Sequence, residues 1–228
     1  MLSIRHLNNH LTSRQTDSDR ITMKNKLHIL LFLSFIFTTS VTRAQSGFLP
    51  SSFVAIGWDI NTPLNNTEFI SNTSAAGLSV QGRYFVNEKV SIGGEIAWSS
   101  LYEYAPRETY TFENGAVTTD LYKFNYLLPI SANVHYYFKP DSKVSPYVGL
   151  GVGAMYSQQD FYFNVYNLSF VKWGYLVKPE VGALIKFGDS NMGAMVGVRY
   201  NYGTNREPKL NFDNIQTLGF NLGLVFFN

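Results

Sequence analysis

The sequence predicts an all-β chain closed into an eight-stranded antiparallel up-and-down barrel that crosses a membrane. Three observations predict it. Apolar and polar residues alternate with a period of two in eight segments, long and short connections alternate between those segments, and aromatic residues collect in two bands at their opposite ends.

The alternation is plainest over residues 120–138. Even positions from Tyr122 to Phe138 are almost all apolar or aromatic, while odd ones include Lys123, Asn125, Ser131, Asn133 and His135. A period of two makes a strand with one greasy and one polar face, and this one far exceeds the usual length of about 5–6 residues. It ends at Lys139-Pro140-Asp141-Ser142, a turn signal. The same pattern returns at 52–61, 76–86, 90–101, 145–157, 175–187, 192–203 and 216–227. Each segment reaches the roughly 9–11 residues that a tilted strand needs to cross hydrocarbon.

Connections 62–75, 102–119, 158–174 and 204–215 are long; 87–89, 139–144 and 188–191 are short. Both ends of the barrel segment then fall on the short-turn side. Outer-membrane barrels have this arrangement, with tight periplasmic turns and long extracellular loops. An even strand count closes the sheet without a free edge, which hydrocarbon demands because it cannot bond to unpaired N–H and C=O groups.

Parity sets the facing. Val54, Ile56, Trp58 and Ile60 oppose Phe53, Ala55, Gly57 and Asp59; Val90, Ile92, Ile96 and Trp98 oppose Ser91, Gly93, Glu95 and Ser99. Charge sits on one face only. A soluble barrel would bury the apolar face, whereas a membrane barrel turns it outward. The aromatics decide between them. Trp58, Trp98, Tyr122, Tyr156, Tyr200 and Tyr202 lie near the long-connection ends, and Tyr84, Tyr136, Phe138, Phe187 and Phe226 near the short-turn ends. Two such bands are interfacial girdles. Leu128 and Val196 are accordingly expected at the lipid-facing midplane.

Residues 1–44 read as an export signal. Met23-Lys24-Asn25-Lys26 is a basic start, residues 27–37 form an apolar run, and Thr42-Arg43-Ala44 places tolerated residues before Gln45. The run is too short to span a bilayer, which takes roughly 20 residues. Cleavage after Ala44 is expected, with Met23 an alternative start, leaving 45–228 as the barrel domain. Residues 1–44 hold six of the 18 Lys and Arg and two of the 16 Asp and Glu, so the remainder is slightly acidic. That balance offers no field for nucleic acid. The absence of cysteine excludes disulfides, thiolate metal sites and a lipoprotein anchor.

An eight-stranded barrel is just wide enough for side chains to fill. Inward glycines, among them Gly93, Gly149, Gly151, Gly153 and Gly197, make room for long polar neighbours. A symmetric 188–191 turn sets Glu180 across from Arg199, and the 87–89 turn sets Gln81 across from Glu95 with Arg83 diagonal to it. Buried charges persist only when paired, so Arg83, Glu95, Glu180 and Arg199 are expected to form a structural network in the lumen. Lys123 and Lys186 share the inward face. Pro129 and Pro179 interrupt strands, where a missing N–H is expected to mark a bulge or a position above the hydrocarbon.

The run Tyr126-Leu127-Leu128-Pro129-Ile130 ending in His135-Tyr136-Tyr137-Phe138, the glycine-alternating Pro146–Gly153 stretch, and Gly223-Leu224-Val225-Phe226-Phe227 carry a family resemblance. Together they resemble the small outer-membrane β-barrel domain family of Gram-negative bacteria, the OmpA/OmpX-like, porin-like group. The resemblance implies insertion by the barrel-assembly machinery through the C-terminal aromatic strand. It implies an integral outer-membrane location among lipid and lipopolysaccharide.

Chemistry is sparsely supplied. His135 is the one histidine after residue 44, and it lies close to a short turn with no inward carboxylate evident beside it. It reads as a lumen-filling residue rather than a base, so neither a catalytic residue nor a cofactor or metal site is expected. Glu103, Glu108, Glu113, Asp160 and Asp213 lack calcium-loop spacing. The expected function is non-enzymatic: membrane architecture, or binding and adhesion of an extracellular ligand through loops 102–119 and 158–174. The alternatives are a narrow channel, an outer-membrane lipid-modifying enzyme and a soluble ligand-binding barrel.

Overall fold

The computed structural model describes residues 51–112, 115–163 and 166–228, so the export signal read at 1–44 lies outside the described residues. Eight strands follow in order: β1 Ser52–Pro63, β2 Gly77–Asn87, β3 Val90–Phe112, β4 Gly115–Tyr137, β5 Val144–Phe163, β6 Tyr166–Lys186, β7 Met192–Gly203 and β8 Ile215–Phe227. Each pairs antiparallel with the next, and β8 returns to β1 to close the barrel. The closing ladder runs unbroken from Phe53 against Phe227 to Pro63 against Thr217. No described helix is long and apolar enough to cross a membrane, so crossing falls to the strands.

Facing follows parity throughout. Val80 and Leu222 are each 45% exposed on the outside, while Glu95 and Asn221 are 4% and 2% exposed in the lumen. A soluble barrel would have the reverse arrangement. The apolar outer band lies between Tyr84, Tyr136, Phe138 and Phe226 below and Trp58, Trp98 and Trp173 above, all exposed. Leu128 pairs with Tyr156 in the upper belt, and the flanking pairs Ile96–Ile130 and Ser99–Leu127 bracket it level with Trp98. It is therefore not at the midplane. Ile130, one step lower on the same face, lies closer to it.

The wall is uneven. β3 and β4 have 23 residues each, β5 has 20 and β6 has 21, against 11 to 13 in β1, β2, β7 and β8. The described parts of segments 102–119 and 158–174, read from the sequence as loops, are the outer halves of paired strands. Above the membrane a strand needs no apolar outer face, so its composition turns polar while its ladder continues. Thr109 and Thr118 hydroxyls bond between β3 and β4 at 2.8 Å, and Tyr102 and Tyr104 both pack on Tyr122. A register shift at residues 105–108 accommodates Pro106. Among the described residues the long connections outside the strands are 64–76 and 204–214, and both fold inward over the mouth.

Pro179 meets neither expectation, and Pro129 makes no bulge. The β3–β4 and β6–β7 ladders each lack rungs beside them but resume in unchanged register, so neither makes a bulge. Pro179 is exposed on the outer face opposite Leu150, within the apolar band. A missing donor removes a rung without displacing the strand.

The core is the lumen, and it is layered. A lower apolar plug joins Phe53, Phe85, Tyr137, Tyr147, Leu184 and Met195 with Phe227 against it. An upper one joins Leu101, Leu127, Met155, Leu176 and Ile215 of the wall to Phe69, Ile70 and Phe212 of the two loops.

Ile130→Arg and Val196→Arg are each expected to lower folding free energy in lipid vesicles by about 2–4 kcal/mol, the cost of arginine against hydrocarbon near the midplane. Ile130→Leu, which keeps volume, should cost under about 1.5 kcal/mol. Urea titrations of the vesicle-refolded proteins check this; equal costs for Arg and Leu would contradict the outward facing.

Candidate functional site

Between the two plugs lies a charged layer. The barrel brings Arg83, Glu95, Glu180 and Arg199 together and adds Asp59, His135 and Lys178. Glu95 is the hub. Its Oε2 accepts from Lys178 Nζ and its Oε1 from Arg199 Nη1, each at 2.6 Å, with Arg83 Nη2 3.9 Å away. Glu180 meets Arg83 Nη2 at 3.8 Å and Lys178 Nζ at 3.5 Å, and contacts His135 Nε2. Arg199 Nη2 also reaches Asp59 Oδ1 at 3.4 Å, where Asn221 Nδ2 donates at 2.6 Å. Gln81 Oε1 accepts from Arg83 Nε at 3.0 Å. Three carboxylates thus face two arginines and a lysine, all buried.

Glu180 and Arg199 are register partners, as are Gln81 and Glu95. Even so, Arg199 turns from Glu180 to Glu95 and Asp59. The narrow lumen explains this, because long side chains reach the opposite wall as easily as their neighbours. Sequence reasoning omitted Lys178 although it shares Glu180's parity, and Asp59 although it lay on the inner face. His135 has a carboxylate beside it after all: across β5 it pairs with Gly149, which pairs with Glu180. A Cβ on Gly149 would stand 2.6 Å from the His135 ring and 2.8 Å from Glu180, so only glycine lets the two meet. The ring stacks on Tyr147 with centroids 4.5 Å apart.

This layer is poorly placed for chemistry. His135 is 0% exposed, and Ser131 lies four residues along the same strand, about 13 Å away. Among the described residues no cluster could hold a metal ion. The space above the layer, lined by Asp59, Leu127, Met155 and Arg199, is a void of about 10 Å³, hardly one water. Lys186 and Lys123 lie outside the layer: Lys186 Nζ donates to the Pro140 carbonyl at 3.0 Å near the short turns, and Lys123 stands at the mouth. Of the loop acids, Glu103 accepts from Ser71, Asp160 from Gln158, and Asp213 faces Arg206 at 3.7 Å in the open; Glu113 lies outside the described residues.

Space opens at the mouth instead. A cleft of about 470 Å³ lies between loop 64–76, loop 204–214 and the inner face of the tall wall. Phe69, Phe161, Phe212 and Leu210 line it, with Lys123, Asn66 and the exposed Glu68 among them. The Phe69 ring meets Phe161 at 4.8 Å and Phe212 at 5.5 Å between centroids.

Glu95→Ala leaves buried cations without their shared carboxylate and is expected to destabilise by about 3–5 kcal/mol. Adding Lys178→Met removes one orphaned charge and should restore part of the loss. A double-mutant cycle by urea unfolding in vesicles tests this; strict additivity would show that the two side chains do not interact.

Comparison with known proteins agrees with this architecture. The outer membrane protein beta-barrel domain family matches residues 30–226. Neisserial surface protein A aligns at 14% identity over 78% of this chain and 97% of its own, with a TM-score of 0.53. Ail, the attachment invasion locus protein of Yersinia pestis, aligns at 16% identity over 78% and 98%, with a TM-score of 0.46. The outer membrane protease OmpT of Escherichia coli aligns at 11% identity over 67% and 62%, with a TM-score of 0.40. Curated proteins give no match. With its closed eight-stranded wall, outward apolar band and paired girdles, this chain belongs to the outer membrane protein beta-barrel domain family and is an integral protein of the Gram-negative outer membrane.

Proposed function

We propose that the protein is a non-enzymatic surface-binding barrel whose tall wall presents a recognition surface outside the cell. The unequal strand lengths carry this reading. About 9–11 residues suffice to cross the hydrocarbon, and β1, β2, β7 and β8 are little longer than that. The further eight or more residues in each of β3 to β6 stand in water. Their outer face continues the aromatic column from Trp98 through Tyr126 and Phe124 to Tyr102, Tyr122 and Tyr104. Trp98 to Tyr104 is six residues, about 20 Å of strand. That column puts lipopolysaccharide within reach as the surrounding partner. The filled lumen supports an architectural rather than a conducting role, and the sealed His135–Glu180 pair speaks against catalysis.

We also propose that residues 1–44 are removed as a signal peptide and that the barrel-assembly machinery inserts residues 45–228 through β8. N-terminal mass analysis of the outer-membrane form should then begin at Gln45.

Topology is testable because the chain has no cysteine. On intact cells a membrane-impermeant maleimide is expected to label Arg107→Cys, in the tall wall, and not Asp189→Cys, in a short turn, until the outer membrane is opened. The opposite labelling would invert the reading. In planar bilayers the purified protein should give no steady conductance; a steady ohmic current would favour the channel.

A further inference from the structure

We infer that the cleft at the mouth is a binding site for a small soluble anion with an apolar body, such as an aryl or alkyl carboxylate. The inference rests on the reading above, that the tall wall stands outside the membrane, and it names a ligand class for that surface.

The cation comes first. Lys123 on β4 is the register partner of Glu103 on β3, and opposite charges facing across strands ordinarily pair. Here they do not. Glu103 Oε2 is taken by the Ser71 backbone N–H at 2.6 Å and by the Ser71 hydroxyl at 3.0 Å, contacts that pin loop 64–76 to the wall. The Lys123 ammonium leans instead over the Phe69 ring, 5.8 Å from its centroid, and donates to the Glu68 carbonyl at 3.1 Å. Among the described residues it has no carboxylate partner. An ammonium has three donors, so two remain for a ligand.

The apolar walls come next. Phe69 and Phe212 are 7% and 4% exposed, so they form a fixed floor, while Phe161 and Leu210 are half-buried along the sides. A volume of about 470 Å³ falls within the range of small-molecule sites, roughly 300–1,000 Å³. A cationic guest would have to displace Lys123 from the ring face. A neutral guest would cover the ammonium's remaining donors without bonding them as an anion does.

The rim is also held in advance. Asn65 Nδ2 donates to the Asn214 side chain at 2.7 Å, Asn66 Nδ2 to the Asn214 carbonyl at 2.8 Å, and the Gln216 N–H to Asn65 Oδ1 at 2.8 Å. These bonds clamp loop 64–76 to loop 204–214 and to the start of β8. Asn66 and Asn211, at φ 55° and 57°, are the described non-glycine residues with left-handed backbone, and both border this cleft. Such conformations persist where surrounding contacts enforce them and gather at ligand sites. A rim already ordered loses little entropy on binding. Because Lys123 and Phe161 lie on the axis side of the wall, away from its lipid-facing side, the ligand is assigned to the medium rather than to a lipid headgroup.

The test uses the detergent-refolded barrel, with sodium 3-phenylpropionate and the neutral 3-phenylpropanamide as probes, followed by backbone amide shifts. Saturable shifts at residues 66–69, 161 and 210–212 are expected for the acid at millimolar concentration, and about tenfold weaker binding for the amide. Lys123→Met, or Lys123→Gln if the first does not refold, should bring the acid to the amide's affinity and leave the amide unchanged. Phe161→Ala should weaken both. No saturable shift, equal binding of acid and amide, or an unaffected Lys123 variant would overturn the inference. Displacement of the acid by lipopolysaccharide in nanodiscs would overturn the soluble source. Inverted cysteine labelling would remove the surface reading without altering these affinities, so the two failures are separable.

Discussion

Every part of this molecule answers to one constraint: in hydrocarbon the backbone must satisfy its own hydrogen bonds. The continuous β1–β8 ladder is where that demand is met, since an open edge at that depth would strand a row of donors and acceptors. Closure with eight strands fixes a lumen so narrow that side chains must fill it. Glycine then becomes a matter of volume. At Gly151 a Cβ would come within 2.0 Å of Asn133 Oδ1, so the small residue on one strand admits the long one on the next.

Filling the lumen creates the second constraint. Seven ionisable side chains lie between plugs of Phe, Tyr, Leu and Met that exclude water from both ends. Where the local dielectric is low, an unpaired charge is prohibitive while a paired one is tolerable. The layer meets this with equal numbers of carboxylates and basic side chains, donated by five different strands. Such cross-lumen pairing ties opposite walls together, as the backbone ladder ties neighbouring ones. The same sealing keeps His135 and Glu180 buried.

Open space is thereby left to the mouth. Once above the headgroups, β3 to β6 are free of the lipid's demand for an apolar outer face and continue as a sheet in water, with aromatic rings along the outside. On the inside, loops 64–76 and 204–214 fold down and bury Phe69, Ile70 and Phe212, which closes the barrel and leaves a cleft against the taller side. The asymmetry in strand length creates both surfaces.

How much of this was legible in the sequence depends on the range of the interaction involved. Period-two alternation is a local property, so strand count, facing, girdles and the inward placement of Arg83, Glu95, Glu180 and Arg199 could be read directly. Segments 102–119 and 158–174 looked like loops because the lipid stops enforcing apolar character there, and hydrogen bonding to a neighbouring strand leaves no mark in composition. Leu128 was misplaced in depth because the upper girdle is defined by Trp98 and Tyr156 on other strands. His135 seemed to lack a carboxylate because Glu180 lies two strands and 45 positions away, joined only through Gly149. The sequence by itself determined which way each side chain faces, because alternation and the solvent on either side decide that residue by residue. The tertiary structure alone decided which charges meet across the lumen, how far the wall rises above the membrane and that Lys123 is left without Glu103, because barrel closure and loop packing bring together residues that no sequence interval relates.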